Sequence, residues 1–140
     1  MKRVIVFIGM LALFAFAKDV AIVKKVSGSV IVKRGLVSQD VKKGDKLREN
    51  DVIITKDPGA IGILFDDGTA LALGKNSIIS INKYIFKPAS KEYAFDLKMN
   101  KGVASFQSGK IGKLSPKSVH FNVPEGMIGI RGTKFYVEVK

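Results

Sequence analysis

The 140-residue sequence contains no cysteine and a single histidine, His120. Without cysteine there is no disulfide framework, no thiolate metal ligand, no thiol nucleophile and no lipid-bearing N-terminal Cys. One imidazole supplies neither a histidine cluster for zinc nor a coupled pair for acid–base work. Acidic residues are also scarce, 12 against 24 Lys and Arg, which gives a net charge of +12 and a pI near 10.0. Such a balance raises nucleic acid as a partner. Long apolar runs are missing too: the longest uncharged stretch is Val4 to Ala17. The length suits one domain and not two independent cores.

Cellular location decides what the charge means. Lys2 and Arg3 precede the uncharged run, which closes on Ala15-Phe16-Ala17, the small-x-small pattern of a secretory signal peptide. Fourteen residues are too few to cross about 30 Å of hydrocarbon comfortably as a helix. The expectation is a signal helix over 1–17, cleaved after Ala17; the alternative is an uncleaved anchor. Cleavage leaves 140 − 17 = 123 residues carrying 12 − 2 = +10. Export places the chain in the periplasm or outside the cell, or facing the periplasm from the inner membrane if the segment is retained. It removes chromosomal DNA from reach, so no nucleic-acid partner is expected. The membrane is met only through the N-terminal segment.

After Lys18 the apolar residues recur with period two, not 3.6. Ile61, Ile63 and Phe65 alternate with small residues, and Thr69, Leu71 and Leu73 with Ala. Tyr93, Phe95, Leu97 and Met99 form another alternating run, as do Val119, Phe121 and Val123, and then Phe135, Val137 and Val139. Val30-Ile31-Val32, Val52-Ile53-Ile54 and Ile78-Ile79 suggest strands covered on both sides. Turn formers separate these runs: Ser27-Gly28-Ser29, Arg34-Gly35, Lys43-Gly44-Asp45, Asp57-Pro58-Gly59, Asp66-Asp67-Gly68, Gly74-Lys75-Asn76 and Ser108-Gly109-Lys110. Asp67-Gly68 between two alternating runs is the clearest hairpin signal. About ten short strands over 18–140 predict a single all-β domain, as a sandwich, roll or short solenoid.

Six motifs follow one another along the chain. Ser27-Gly28-Ser29-Val30, Gly44-Asp45-Lys46-Leu47 and Asp51-Val52-Ile53-Ile54-Thr55 come first. Leu64-Phe65-Asp66-Asp67-Gly68-Thr69-Ala70-Leu71 and Lys101-Gly102 follow, and Ile130-Arg131-Gly132-Thr133-Lys134-Phe135-Tyr136-Val137 closes the series. The order of these motifs resembles a FecR-type domain, and the likeness runs from about residue 22 to 139. It implies an exported domain with an all-β, twisted solenoid-like fold. Family namesakes relay an outer-membrane transporter's signal from the periplasm to a cytoplasmic sigma factor. Their cytoplasmic regulator domain and further periplasmic module have no counterpart in these 140 residues, and Val123-Pro124-Glu125-Gly126 lacks the Thr that often precedes the Pro. Sigma-factor control is therefore not carried over.

The motif residues Gly28, Gly44, Asp45, Asp67, Gly68, Thr69, Arg131, Gly132, Thr133 and Phe135 read as structural. Gly44-Asp45 and Asp67-Gly68-Thr69 suit turns in which Asp accepts backbone N–H bonds. Arg131, between two glycines and amid Ile128, Ile130 and Phe135, is expected to fork onto Asp45, Asp51 or Asp67 and tie down the C-terminal strand.

Signals for chemistry are weak. Asp66-Asp67-Gly68 lacks the spacing of a calcium loop. His120 falls on the polar face of its strand without a partner. No serine sits in a nucleophile elbow, and Gly109-Lys110-Ile111-Gly112-Lys113 lacks the phosphate-loop frame and reads as a basic loop. Glu92 and Asp96 share one strand face with lysines, and Lys83-Tyr84-Ile85-Phe86-Lys87 interleaves base with aromatics. No catalytic residue, metal or cofactor is expected. The sequence thus points to a non-catalytic binding or scaffolding module for a protein or an anionic envelope polymer. A membrane-tethered signalling protein is the first alternative, and a small glycan-binding or hydrolytic protein the second.

Overall fold

The computed structural model describes residues 18–130 and 134–140. The predicted signal segment and Arg131, Gly132 and Thr133 lie outside the described residues. Four strands are long: β1 (Asp19–Arg34), β4 (Val52–Phe65), β6 (Ile78–Lys87) and β7 (Glu92–Gln107). Six are short: β2 (Val37–Asp40), β3 (Lys46–Arg48), β5 (Ala70–Leu73), β8 (Val119–Val123), β9 (Gly126–Ile128) and β10 (Lys134–Val139). One helical turn, α1 (Lys110–Leu114), joins β7 to β8, with single 3-10 turns at Pro88–Ser90 and Pro116–Ser118. The chain is all-β.

All ten strands belong to one sheet that folds back on itself, a roll. Every long strand but β6 serves both halves. In the first half Val23, Ile63, Leu71, Phe106 and Phe135 make one inward rung across β1, β4, β5, β7 and β10. In the second, Val32, Ile53, Ile79 and Met99 do so across β1, β4, β6 and β7. Period two puts each rung on a single face, and these faces meet to make the core. Phe65 of the first half packs on Tyr84 and Phe95 of the second, with ring centroids 5.4 and 4.7 Å apart. Phe106 continues the aromatic chain to Phe121 and Phe135. The runs expected to be covered on both sides are half-covered: Val30, Val32, Ile53 and Ile79 are buried, while Ile31, Val52, Ile54 and Ile78 between them are intermediate.

The fold of the sheet falls at glycines. Gly28 (φ +64°) pairs with Gly59 where the β1–β4 register slips, and a Cβ on Gly28 would run into the Pro58 carbonyl. Hence Ser27-Gly28-Ser29 and Asp57-Pro58-Gly59, expected as turns between strands, lie inside β1 and β4. They bend continuous strands and do not end them, because only residues without a Cβ let the two backbones approach so closely. Gly102 (φ +106°) bends β7 where its neighbours change from β6 to β5 and β10.

A second departure concerns Gly109–Lys113, expected as a loop. Residues 110–114 form α1 because Asp67 accepts the otherwise free first N–H groups of that turn: Lys110 N–H on its carbonyl at 2.9 Å and Ile111 N–H on Oδ2 at 3.0 Å. Ile111, with no exposed surface, anchors the turn in the core.

Candidate functional site

Three buried polar knots hold the roll, and five of the seven predicted motif residues that are described sit in or beside them. The first joins the end of β1 to the start of β4. Asp51 is wholly buried; its Oδ1 accepts Arg34 Nε at 2.8 Å and its Oδ2 accepts Arg34 Nη2 at 2.8 Å. The backbone N–H of Arg48 adds a third bond to Oδ2 at 2.8 Å, and Nη2 also reaches the Lys46 carbonyl at 3.2 Å. A planar two-pronged donor matched to two carboxylate oxygens is the geometry that guanidinium supplies and ammonium does not. The hydrogen bond to Asp51 raises the Arg34 pKa above its ordinary value. Next to it lies the turn between β2 and β3, where Gly44 has φ +93° and Asp45 Oδ2 accepts the Lys42 N–H at 2.8 Å.

The second knot sits beside the bend in β7. Thr55 Oγ1 donates to the Gly74 carbonyl at 2.6 Å and accepts the Ser77 N–H at 2.9 Å. Ser77 Oγ accepts the Val103 N–H at 3.0 Å with the Gly74 carbonyl 3.0 Å away as its acceptor. Both side chains are buried.

Asp67 centres the third, at the tip of the β4–β5 hairpin. Its Oδ1 accepts the Tyr84 hydroxyl at 3.0 Å and the Thr69 N–H at 3.1 Å. Oδ2 accepts the Thr69 hydroxyl at 2.8 Å besides the Ile111 N–H. Tyr84 Oη in turn accepts the Asp67 N–H at 2.8 Å, and Thr69 Oγ1 accepts the Gly109 N–H at 3.0 Å. Burial, and then the Asp67 charge, push the Tyr84 phenol far above its ordinary value. Gly68, at φ +89°, turns the hairpin, and its N–H reaches the Phe65 carbonyl at 2.9 Å. Among the described residues every buried side-chain nitrogen or oxygen has a partner. Each buried acceptor of the knots is answered from inside the chain.

The remaining predicted positions are spread out. Gly28 lies at the bend of β1, and Phe135 is half-buried in β10, stacked on Phe106 with centroids 5.1 Å apart. The fork expected of Arg131 falls outside the described residues; among those described, Arg34 makes it. Sequence reasoning does not single out Tyr84, Ser77 and Arg34 as site residues, because the partners Asp67, Val103 and Asp51 lie 17 to 26 positions away. Asp96 receives the Asn122 amide at 2.6 Å, in register between Lys83 and His120, while Glu92 lies 3.8 Å from Lys87. Tyr84 is buried, and Phe86 pairs with Tyr93 at 6.3 Å, so the Lys83–Lys87 stretch is a packed strand.

The surface tells a different story. Nineteen lysines fall within the described residues, and among those residues only Lys75 and Lys87 have a carboxylate within 4 Å, each at 3.8 Å. Arginines take the closer carboxylates: Arg34 holds Asp51, and Arg48 reaches Asp19 at 3.0 Å. The excess of Lys and Arg over acid, with Asp51 and Asp67 buried, leaves the outside positive. One broad cleft, about 1060 Å³, opens between the α1–β8 connection and β9, lined by Leu114, Pro116, His120, Met127 and Ile130.

A family model for FecR proteins matches residues 51–140. The chain belongs to the FecR family. The match opens on Asp51, the buried carboxylate of the first knot, and leaves Ser27–Val30 and Gly44–Leu47 ahead of it. The FecR sheet nonetheless includes β1, which pairs with β4 from Ala21 to Lys33. No curated protein matches the chain. A solved structure described as a cell surface anchoring domain is similar over part of it, with 29% identity and a TM-score of 0.42, covering 44% of this chain and 82% of the other. Among the described residues no helix is long and apolar enough to cross a membrane.

Proposed function

We propose that this FecR-family chain is an exported, non-catalytic module whose positive β-surface binds or scaffolds an envelope protein or an anionic envelope polymer. The observation that carries the reading is the division of charge. Asp51 and Asp67 are spent inside the closed knots, and seventeen of nineteen described lysines have no described carboxylate within 4 Å. A surface of that kind attracts polyanions over a Debye length of about 8 Å at physiological salt. Membership of the FecR family supports a place in the cell envelope, and the cationic start followed by an uncharged run supports export.

In-cell crosslinking with mass spectrometry of the attached proteins tests the partner. Cosedimentation with phosphatidylglycerol vesicles tests the polymer-like arm. The expected result is a reproducible envelope crosslink, or vesicle binding lost as NaCl rises from about 0.05 to about 0.5 M. Absence of both overturns the proposal. The same uncharged run of fourteen residues supports a membrane-tethered signalling reading if it is retained; resistance to carbonate extraction favours it, and release by osmotic shock favours the module.

A further inference from the structure

We infer that β10 is a pairing edge for a second copy of this chain, joined antiparallel about Tyr136. Among the described residues β10 bonds to β7 on one side only, and at six residues it is the longest such terminal strand of the sheet. Unpaired strand edges recruit strands unless something blocks them, through proline, a bulge, an inward charge or edge charges, such as lysines, that find no opposite charge on the incoming strand. Lys134–Val139 has no proline and no bulge in its register with β7, and its charges alternate outward.

Side-chain geometry fixes which partner fits. Lys134, Tyr136 and Glu138 point out and are exposed, Tyr136 at 76%, whereas Phe135, Val137 and Val139 point toward the core and are only half-buried. Opposed residues in an antiparallel pair share one face. A two-fold axis normal to the sheet must therefore pass through a residue position, so that outward residues meet outward ones. With the axis at Tyr136, Lys134 of each copy stands opposite Glu138 of the other, Tyr136 opposite Tyr136, and Phe135 opposite Val137. Two opposite-charge pairs, one aromatic pair and two apolar pairs result, all on the correct faces. Moving the axis to Val137 sets Lys134 against Lys140, a like-charge pair; moving it to Phe135 sets Lys134 against Tyr136 and leaves Glu138 without its lysine. The strand is self-complementary in one register. The Lys134 ammonium already lies 5.3 Å from the centre of its own Tyr136 ring, on the face where the partner's Glu138 arrives. Pairing also sets the partly buried inner residues of β10 beside those of the second copy.

Light scattering of the full chain from about 10 to about 200 µM, a range in which a weak edge-to-edge dimer populates, reads the association. The expected result is a concentration-dependent approach to twice the chain's mass. Lys134→Glu and Glu138→Lys should each weaken dimerisation at least about tenfold by opposing like charges, and the double exchange Lys134→Glu/Glu138→Lys should restore it. Since the sequence has no cysteine, Tyr136→Cys adds one thiol per chain, and mild oxidation should crosslink it as a dimer. Val103→Cys, exposed on neighbouring β7, should dimerise without forming the crosslink. All four sites are exposed, and circular dichroism checks that each variant is folded. A chain that stays monomeric throughout overturns the inference. So does a dimer indifferent to both charge reversals, or one that the Tyr136→Cys thiol fails to lock.

Discussion

Arg34 closes a two-pronged grip on Asp51, Nε to Oδ1 and Nη2 to Oδ2, both at 2.8 Å, and the carboxylate it holds has no exposed surface. The end of β1 is thereby fixed to the start of β4. Arg34→Ala leaves a buried charge with the Arg48 N–H as its remaining donor. It should cost about 2–3 kcal/mol, below the usual figure for a broken buried pair because the guanidinium is itself 37% exposed. Arg34→Lys keeps the charge but loses one prong and should cost about 1–2 kcal/mol. Urea unfolding should show a lower midpoint with an unchanged slope. A midpoint equal to that of the native chain in both variants would show that the grip adds no stability.

Tyr84 bridges the N–H and the carboxylate of Asp67, so Tyr84→Phe strips two hydrogen bonds from a buried residue and should cost about 1–3 kcal/mol at pH 7. The cost should depend on pH. The fold raises the phenol above its ordinary 10.0, mainly by burial, which means that the folded state favours the neutral form. Its contribution is complete below the unfolded value and declines as pH climbs from there toward the folded one. The stability gap between the native chain and Tyr84→Phe should therefore be constant up to about pH 9 and narrow by pH 11. Lysines titrate in the same range, but both chains carry them equally. A gap that widens with pH would contradict the assignment.

The fold class was legible because each inward rung is made of residues spaced by two, and Ile61, Ile63 and Phe65 against Leu71 and Leu73 already define a hairpin about Gly68. What period two does not encode is where a strand bends without ending. Gly28 and Gly59 carry the same composition as a turn, and only their pairing with each other makes them a bend. The partners of the motif aspartates were not legible. Asp67 meets Tyr84 and Ile111 across 17 and 44 positions, and the Arg34 fork onto Asp51 spans 17. Those contacts are products of the sheet's closure, and local propensity holds no trace of them. Charge was legible in amount and not in arrangement, since pairing of acids inward is a tertiary fact.

Gly102 tests the bend directly. At φ +106° its missing Cβ would fall inside the Ser77 side chain, which is fixed by bonds to Val103 and Gly74. Gly102→Ala must both adopt a left-handed backbone and displace Ser77, and should cost about 3 kcal/mol or more. Gly35 is the internal control: φ is +60°, yet a Cβ there meets nothing within 4 Å. Gly35→Ala should cost about 1 kcal/mol, the backbone share alone. Thermal unfolding of the two variants separates steric crowding from backbone strain. Equal losses would mean that the Ser77 contact is irrelevant.

Asp67 is the point where the hairpin tip, β6 and α1 meet, so its replacement should act locally before it acts globally. The substitution Asp67→Asn turns one of two acceptor oxygens into a donor. Four donors now compete for one oxygen: the Tyr84 hydroxyl, the Thr69 N–H and hydroxyl, and the Ile111 N–H. Whichever way the amide is turned, it faces a donor, and the unpaired groups are buried. A loss of about 2–4 kcal/mol follows. Because α1 is only one turn, with its first N–H groups capped from Asp67, it should detach first. Hydrogen exchange at the Ile111 and Gly109 amides should accelerate more than at Ile79 or Leu97 in the core rungs. Uniform acceleration across all four amides would show instead that the knot and the sheet open as one unit, with α1 held by the burial of Ile111 alone.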